Sequence, residues 1–224
     1  MTAVATTGID NQSSDRKTKR GFTLTEIAIV LGIIGLILGA IWVAAAAVYN
    51  NMRVSSVNRQ LLQITQAVRS LYATSNAVDP GADMVAMGTA TQVGTPTYLR
   101  AGVFPTDALN TGAPGTATRA VDPWNGNIVV HSATNTTAND SFFVAFDSLP
   151  TQGCIDLLTA STGTGRDPGM YGAGGSVGGA LPAGPAYTLV DGTAMPASTA
   201  AAECATTVAP YNVAGFWFSI IGTH

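Results

Sequence analysis

Lysine is missing from everything that follows Lys19, and the whole 224-residue chain holds only two, Lys17 and Lys19. Charged residues of all kinds make up 10% of it, against roughly 25% in ordinary soluble proteins. From Phe22 onward six arginines face eleven carboxylates, and these cations do not cluster. A nucleic-acid footprint needs a basic patch on the folded part, so no nucleic-acid partner is expected. Histidine is almost as scarce, with His131 and His224 the only two. A metal centre or a catalytic triad needs more convergence than that; His131 reads as a surface strand residue and His224 as a solvated one. The glycine-rich run from Gly163 to Gly179 lacks the Lys-Ser/Thr ending of a phosphate loop. The expectation is therefore no catalytic residue, no cofactor and no metal. Asp107, Asp122, Asp167 and Asp191 sit beside Pro, Gly, Ala or Thr, where Asx turns explain them first; calcium held in these loops stays open as an alternative.

Cysteine is limited to Cys154 and Cys204. An even count in an exported segment reads as one disulfide, with two unpaired buried thiols as the alternative. Neither cysteine lies in a CxxC pair, which leaves a zinc or thioredoxin-like reading little support. A bridge between them closes a loop of about 50 residues, which the chain-entropy account values at about 4 kcal/mol. Within that loop the Gly163–Gly179 run is expected to be a surface excursion with little capacity to form a core.

Apolar residues are plentiful, and they are concentrated. Mean hydropathy is +0.28, and the run Ile27 to Val48 holds 22 residues without a charge. As a helix it is about 33 Å long, enough to cross a bilayer's hydrocarbon core. Residues 1–21 are polar and end in Arg16-Lys17-Thr18-Lys19-Arg20-Gly21, with no apolar periodicity, and read as a disordered leader. The basic cluster assigns that leader to the cytoplasm and the C-terminal bulk to the far side of the membrane. Two ordinary readings of the segment remain open: a secretory signal peptide cut near Ala44 to Ala47, and a plain single-pass anchor for a surface protein that binds a ligand.

A third reading turns on Gly21-Phe22-Thr23-Leu24-Thr25-Glu26. A carboxylate just inside an apolar run is costly in a membrane helix, and a chain without a use for it would rarely place it there. A basic leader, Gly, Phe, a glutamate five positions on and about twenty apolar residues together resemble the prepilin processing site of type IV pilins. The resemblance spans roughly Arg16 to Tyr72. It implies a leader cut after Gly21 by a membrane aspartic prepilin peptidase and N-methylation of Phe22. It further implies polymerisation of identical subunits through the helix, with an assembly platform and a cytoplasmic ATPase. Glu26 is then the assembly residue, its charge answered by the amino group of Phe22 from its own or a neighbouring subunit. A glutamate that merely snorkels to the membrane surface is the bland alternative. Gly32, Gly35, Gly39, Ala40 and Ala44 to Ala47 allow close approach of helices. The implied locations are the inner membrane for the precursor and an extracellular pilus for the product. A type II secretion pseudopilin or minor pilin is the alternative within the family.

Beyond Arg53 the apolar positions Val54, Val57, Leu61, Ile64, Val68 and Leu71 recur every three or four residues, the mark of an amphipathic helix with one stripe. No proline or glycine interrupts Ile41 to Ala77, so the membrane helix is expected to run on to about residue 75, ended by Val78-Asp79-Pro80-Gly81. A long loop with short elements follows over 82–123. Strands are expected at Asn127–Ser132, Ser141–Asp147 and Val213–Ile221, with Tyr187–Val190 a weaker fourth, and a helix over Pro150–Ser161. A turn at Asp122-Pro123-Trp124-Asn125-Gly126 opens the sheet. The fold class is α+β: a long N-terminal helix packed on a small antiparallel sheet. The organisation expected is a leader over 1–21, a transmembrane and filament-core helix over 22–52, and a head over 53–224. A helix carrying one cysteine after a strand, and a 21-residue leader, resemble the type IVb subclass and thin conjugative pili.

Overall fold

The computed structural model describes residues 22–75, 77–78, 97–111, 117–177, 180–189, 193–204 and 212–220. Contacts divide the chain into two units, one up to Ala46 and one from Ala47. The described part of the first is helix alone. Helix α1 begins at Leu24 and ends at Leu71, and the side chains from Phe22 to Tyr49 are exposed throughout. Its most apolar window has a mean hydropathy of 2.8, with 0% of it buried.

The second unit is built on the last half of that helix. Val54, Val57, Leu61, Ile64 and Val68 are all buried, as their spacing requires, against one face of a five-stranded antiparallel sheet. The strands are β1 (Ile128–Ala133), β2 (Ser141–Leu149), β3 (Met170–Val177), β4 (Tyr187–Thr188) and β5 (Asn212–Ser219), in the order β1-β2-β5-β3-β4. Strand alternation sorts the side chains. Ile128, Val130, Phe142, Val144, Phe146, Phe216 and Phe218 join the helix in one core. Val129, Phe143, Ala145, Tyr171, Val213 and Trp217 form a second cluster on the opposite face. Cross-strand rings stack on both: Phe142 on Phe218 at 5.4 Å, and Phe143 on Trp217 at 5.5 Å.

Polar contacts flank the helical stripe. Asn50 Nδ2 donates to Asp156 Oδ2 at 2.7 Å, Ser161 bonds Asn58, and Gln60 donates to Asp107 at 3.3 Å. Arg69 pairs with Asp167 at 2.7 Å and also reaches the Ser219 carbonyl. Asp156 and Ser161 belong to helix α3 (Thr151–Ser161), and Asp107 to a 3-10 turn at Thr106–Ala108. A one-turn helix α2 (Thr97–Arg100) adds buried Tyr98 and Leu99 to the core. The expected loop thus does carry short packed elements; 82–96 lies outside the described residues.

Several expectations need correction. Helix α1 stops at Leu71, short of residue 75: Ser75 N–H bonds the Tyr72 carbonyl and its hydroxyl takes the Ala77 N–H, a local turn competing with further helix. Asp79, Pro80 and Gly81 fall outside the described residues. Asp107 joins the 3-10 turn and a bond from Gln60, whereas Asp167 does make the expected turn, accepting from Gly169 N–H at 2.8 Å. Strands β1, β2 and β5 fall where β-branched and aromatic content put them. Of the glycine-rich run expected as a surface excursion, residues 163–168 are exposed or half-buried as expected, but the part that follows is not a loop. Met170–Val177 is β3, paired with β5 on one side and β4 on the other. A short helix α4 (Ala197–Glu203) adds to the expected elements. The disulfide does form: Cys154 of α3 and Cys204 directly after α4 are both fully buried, with Cα atoms 5.9 Å apart.

The glycines of β3 are there because neighbours come close on both faces. A Cβ on Gly172 would meet Pro185 at 2.4 Å, and one on Gly175 would meet the Glu203 carbonyl oxygen at 2.8 Å. Glu203 adjoins the disulfide, so α4 has little freedom to retreat. Gly175→Ala is expected to destabilise the head by roughly 1–3 kcal/mol through overpacking, read as a lower denaturant midpoint. An unchanged midpoint would show that α4 yields.

Candidate assembly site

The N-terminal motif is assembled by local rules. Thr23 precedes the first helical residue, and its hydroxyl accepts the Glu26 N–H at 3.3 Å. In return Glu26 Oε2 accepts the Thr23 N–H at 2.8 Å and the Thr23 hydroxyl at 2.8 Å. This reciprocal pairing of the N-cap with the third helical residue is a capping box, and it satisfies two backbone donors that a helix start would leave open. The signal, Thr-x-x-Glu ahead of an apolar run, is present in the sequence, on the same glutamate that the prepilin resemblance marks for assembly. Phe22 is 84% exposed, beside the exposed side chains of Ile27, Val30 and Leu31. Gly21 lies outside the described residues.

In the head, the titratable groups gather where the Asp122 turn meets β2. Asp122 Oδ1 accepts the N–H of Trp124 at 2.8 Å and of Gly126 at 2.9 Å, the expected Asx turn, while its Oδ2 is buried with no hydrogen-bond partner among the described residues. Asp147, at the irregularity between Phe146 and Leu149, accepts the Asn127 N–H. Burial raises the Asp122 pKa from 3.8 to about 7, against the two N–H bonds that lower it; the Asp147 charge raises it further and that of Arg53 lowers it. The Arg53 guanidinium carbon lies 4.3 Å from the Tyr49 ring centroid and 5.8 Å from that of Trp124. This cluster was not legible in advance, since Asp122 and Asp147 meet only through strand pairing.

His131 is half-buried in β1, its ring 5.7 Å from that of Phe143; His224 and Asp191 lie outside the described residues. Among the described residues no three His, Cys, Asp or Glu side chains gather as metal ligands would.

A helix-capped, exposed apolar segment ahead of a disulfide-bonded α+β head is the architecture of a type IV pilin, and residues 16–42 match the prokaryotic N-terminal methylation motif. Residues 51–209 match the PilS family, by its N-terminal region, and the chain belongs to that family. It is a structural subunit of a pilus, anchored through its N-terminal helix and processed for polymerisation. Among curated proteins none matches the sequence significantly. Among solved structures it is similar to TcpA, a type IV pilin from Vibrio cholerae El Tor biotype, at 15% identity and a TM-score of 0.46, over 75% of this chain and 99% of that one. It is also similar to the type IVb pilin of Salmonella typhi, at 20% identity and a TM-score of 0.40, over 70% of this chain and 93% of that one.

The raised Asp122 pKa has a definite sign. The folded state holds the proton more tightly than the unfolded one, so stability falls as pH rises from about 4 to about 7, by at most about 4 kcal/mol. Asp122→Asn keeps the Oδ1 acceptor and removes the charge. Its melting temperature is expected to exceed that of the wild type near pH 8 and to converge with it only at or below about pH 4. Parallel melting curves across that range would refute the assignment.

Proposed function

We propose that a prepilin peptidase at the cytoplasmic face cuts the chain between Gly21 and Phe22 and that Phe22 is then N-methylated. Residues 1–21 are the leader removed, 22–52 the membrane and filament-core helix, and 53–224 the head. The precursor sits in the inner membrane. An assembly platform and its cytoplasmic ATPase add identical subunits to a thin pilus of the type IVb kind on the cell surface, and the subunit itself catalyses nothing. The observation that carries this reading is the methylation motif over residues 16–42, at the start of a helix whose apolar side chains as far as Tyr49 are all exposed in the single chain. Such a surface is stable only in lipid or against copies of itself.

Mass spectrometry of sheared surface material is the direct test. Its N-terminal peptide should begin at methylated Phe22; a chain still carrying Met1 or Thr2 would indicate a permanently anchored surface protein instead.

Glu26 has two roles to separate. The cap needs an acceptor oxygen, which glutamine also supplies, whereas pairing with a terminal amine needs the charge. Glu26→Gln should therefore be processed normally and fail to enter filaments, as scored by pilus yield against cell-retained subunit. Wild-type yield from Glu26→Gln would reduce Glu26 to a helix cap.

A further inference from the structure

Beyond the charge-free run that ends at Val48, the first cation of the chain is Arg53, one turn past Tyr49 on the same helix. At 1.5 Å per residue Arg53 stands about 7.5 Å above Val48 along the axis. That is the depth of a headgroup layer, since a bilayer adds about 5–8 Å of polar region to each side of its hydrocarbon core.

The side chains there are arranged around the guanidinium. Tyr49, 59% exposed, stacks beneath it and accepts one of its N–H groups at 3.1 Å. Trp124 flanks it from the Asp122 turn, held there by the hydrogen bonds that Asp122 makes to that turn. Arg69 forms the one ion pair among the described residues, so none of the described carboxylates lies within ion-pair distance of Arg53. Three acids lie near this region, and one of them, Asp147, has both oxygens engaged by Asn127, through its backbone N–H and its side-chain amide. Asp156 of α3 has both oxygens occupied, by amide groups of Asn50 and Gln152. Asp122 is pushed up to about 7 by burial and so competes only partly near neutral pH. An arginine oriented by two rings and spared a carboxylate retains donors for a phosphate. Tyrosine and tryptophan are the residues that settle at the membrane–water boundary.

We propose that Arg53, Tyr49 and Trp124 form a seat for the phosphate headgroups of the bilayer that α1 crosses, holding the head of an unassembled subunit against the outer membrane–water boundary. The seat rests on the membrane-anchored reading above. Its occupant is the lipid layer because the same helix enters that layer immediately before Tyr49. Leaving the membrane for the filament then requires releasing this contact.

The test uses the full chain in nanodiscs of mixed phosphatidylglycerol and phosphatidylcholine. Two quenchers are used in separate discs: a nitroxide on the lipid headgroup, and bromine near the acyl chain ends. The emission lost in Trp124→Phe is the share of Trp124, and that lost in Trp42→Phe the share of Trp42. Headgroup nitroxide should quench the Trp124 share and chain-end bromine the Trp42 share. Arg53→Gln should lower the seated-to-free ratio about fivefold, the equivalent of ~1 kcal/mol for one arginine at an anionic surface, and Arg53→Lys should recover part of it. A thermal melt of each variant confirms that the head is folded. Quenching of Trp42 without quenching of Trp124 would overturn the seat and leave the anchor standing; loss of both would overturn both. Equal quenching in wild type and Arg53→Gln would also overturn it. So would an equal shift of Trp124 emission by soluble glycerophosphate, which would mark a site for free phosphate.

Discussion

Everything in the head depends on one helical stripe being taken out of water. Val54, Val57, Leu61, Ile64 and Val68 lie against a sheet face made largely of phenylalanine and β-branched residues. At roughly 1.5–3 kcal/mol per buried side chain, five of them supply about 10 kcal/mol, the size of a whole domain's net stability. The polar contacts around the stripe do a different task. Asn50, Asn58, Gln60 and Arg69 each bond a separate part of the head: α3, the end of α3, the 3-10 turn, and the approach to β3. Burial is non-directional; these four bonds fix how the helix is rotated and how far it slides along the sheet.

The same helix obeys another logic before Ala47. Its first half has no periodic stripe, because every side is apolar, and no head residue is needed to make it helical. What it needs is a start, and Thr23 and Glu26 provide one. A carboxylate set in a greasy segment is thereby given hydrogen-bond donors inside its own chain. Asp122 shows the contrary case: a carboxylate buried with half of its acceptors satisfied, held largely protonated at mildly acidic pH by the surrounding burial.

How much of this was legible in the sequence follows from how each signal is encoded. The apolar stripe, the aromatic strands β1, β2 and β5 and the cysteine-bearing α3 announce themselves through side-chain size and spacing. Strand β3 does not. Its sequence, Met-Tyr-Gly-Ala-Gly-Gly-Ser-Val, has the composition of a loop because Pro185 and Glu203 come so close that side chains are excluded. Close packing and surface looseness draw on the same residue, and only the neighbours tell them apart. Helix α4 has alanine where a stripe would be expected, and is set in place by Cys204 and Ala200. The Asp122–Asp147 cluster joins residues far apart in sequence through strand register, which no local pattern records.

The bridge between Cys154 and Cys204 also has a mechanical meaning. A load passing between α1 and any contact beyond Cys204 travels through the covalent link and bypasses the 50-residue separation it spans. Those residues, which include β3 and α4, would otherwise add about 170 Å of slack to a yielding subunit at 3.3–3.6 Å each. With the bond closed, a filament under tension can lose strand pairing in a subunit and still keep that length out of play, so its elongation per ruptured subunit is capped by chemistry.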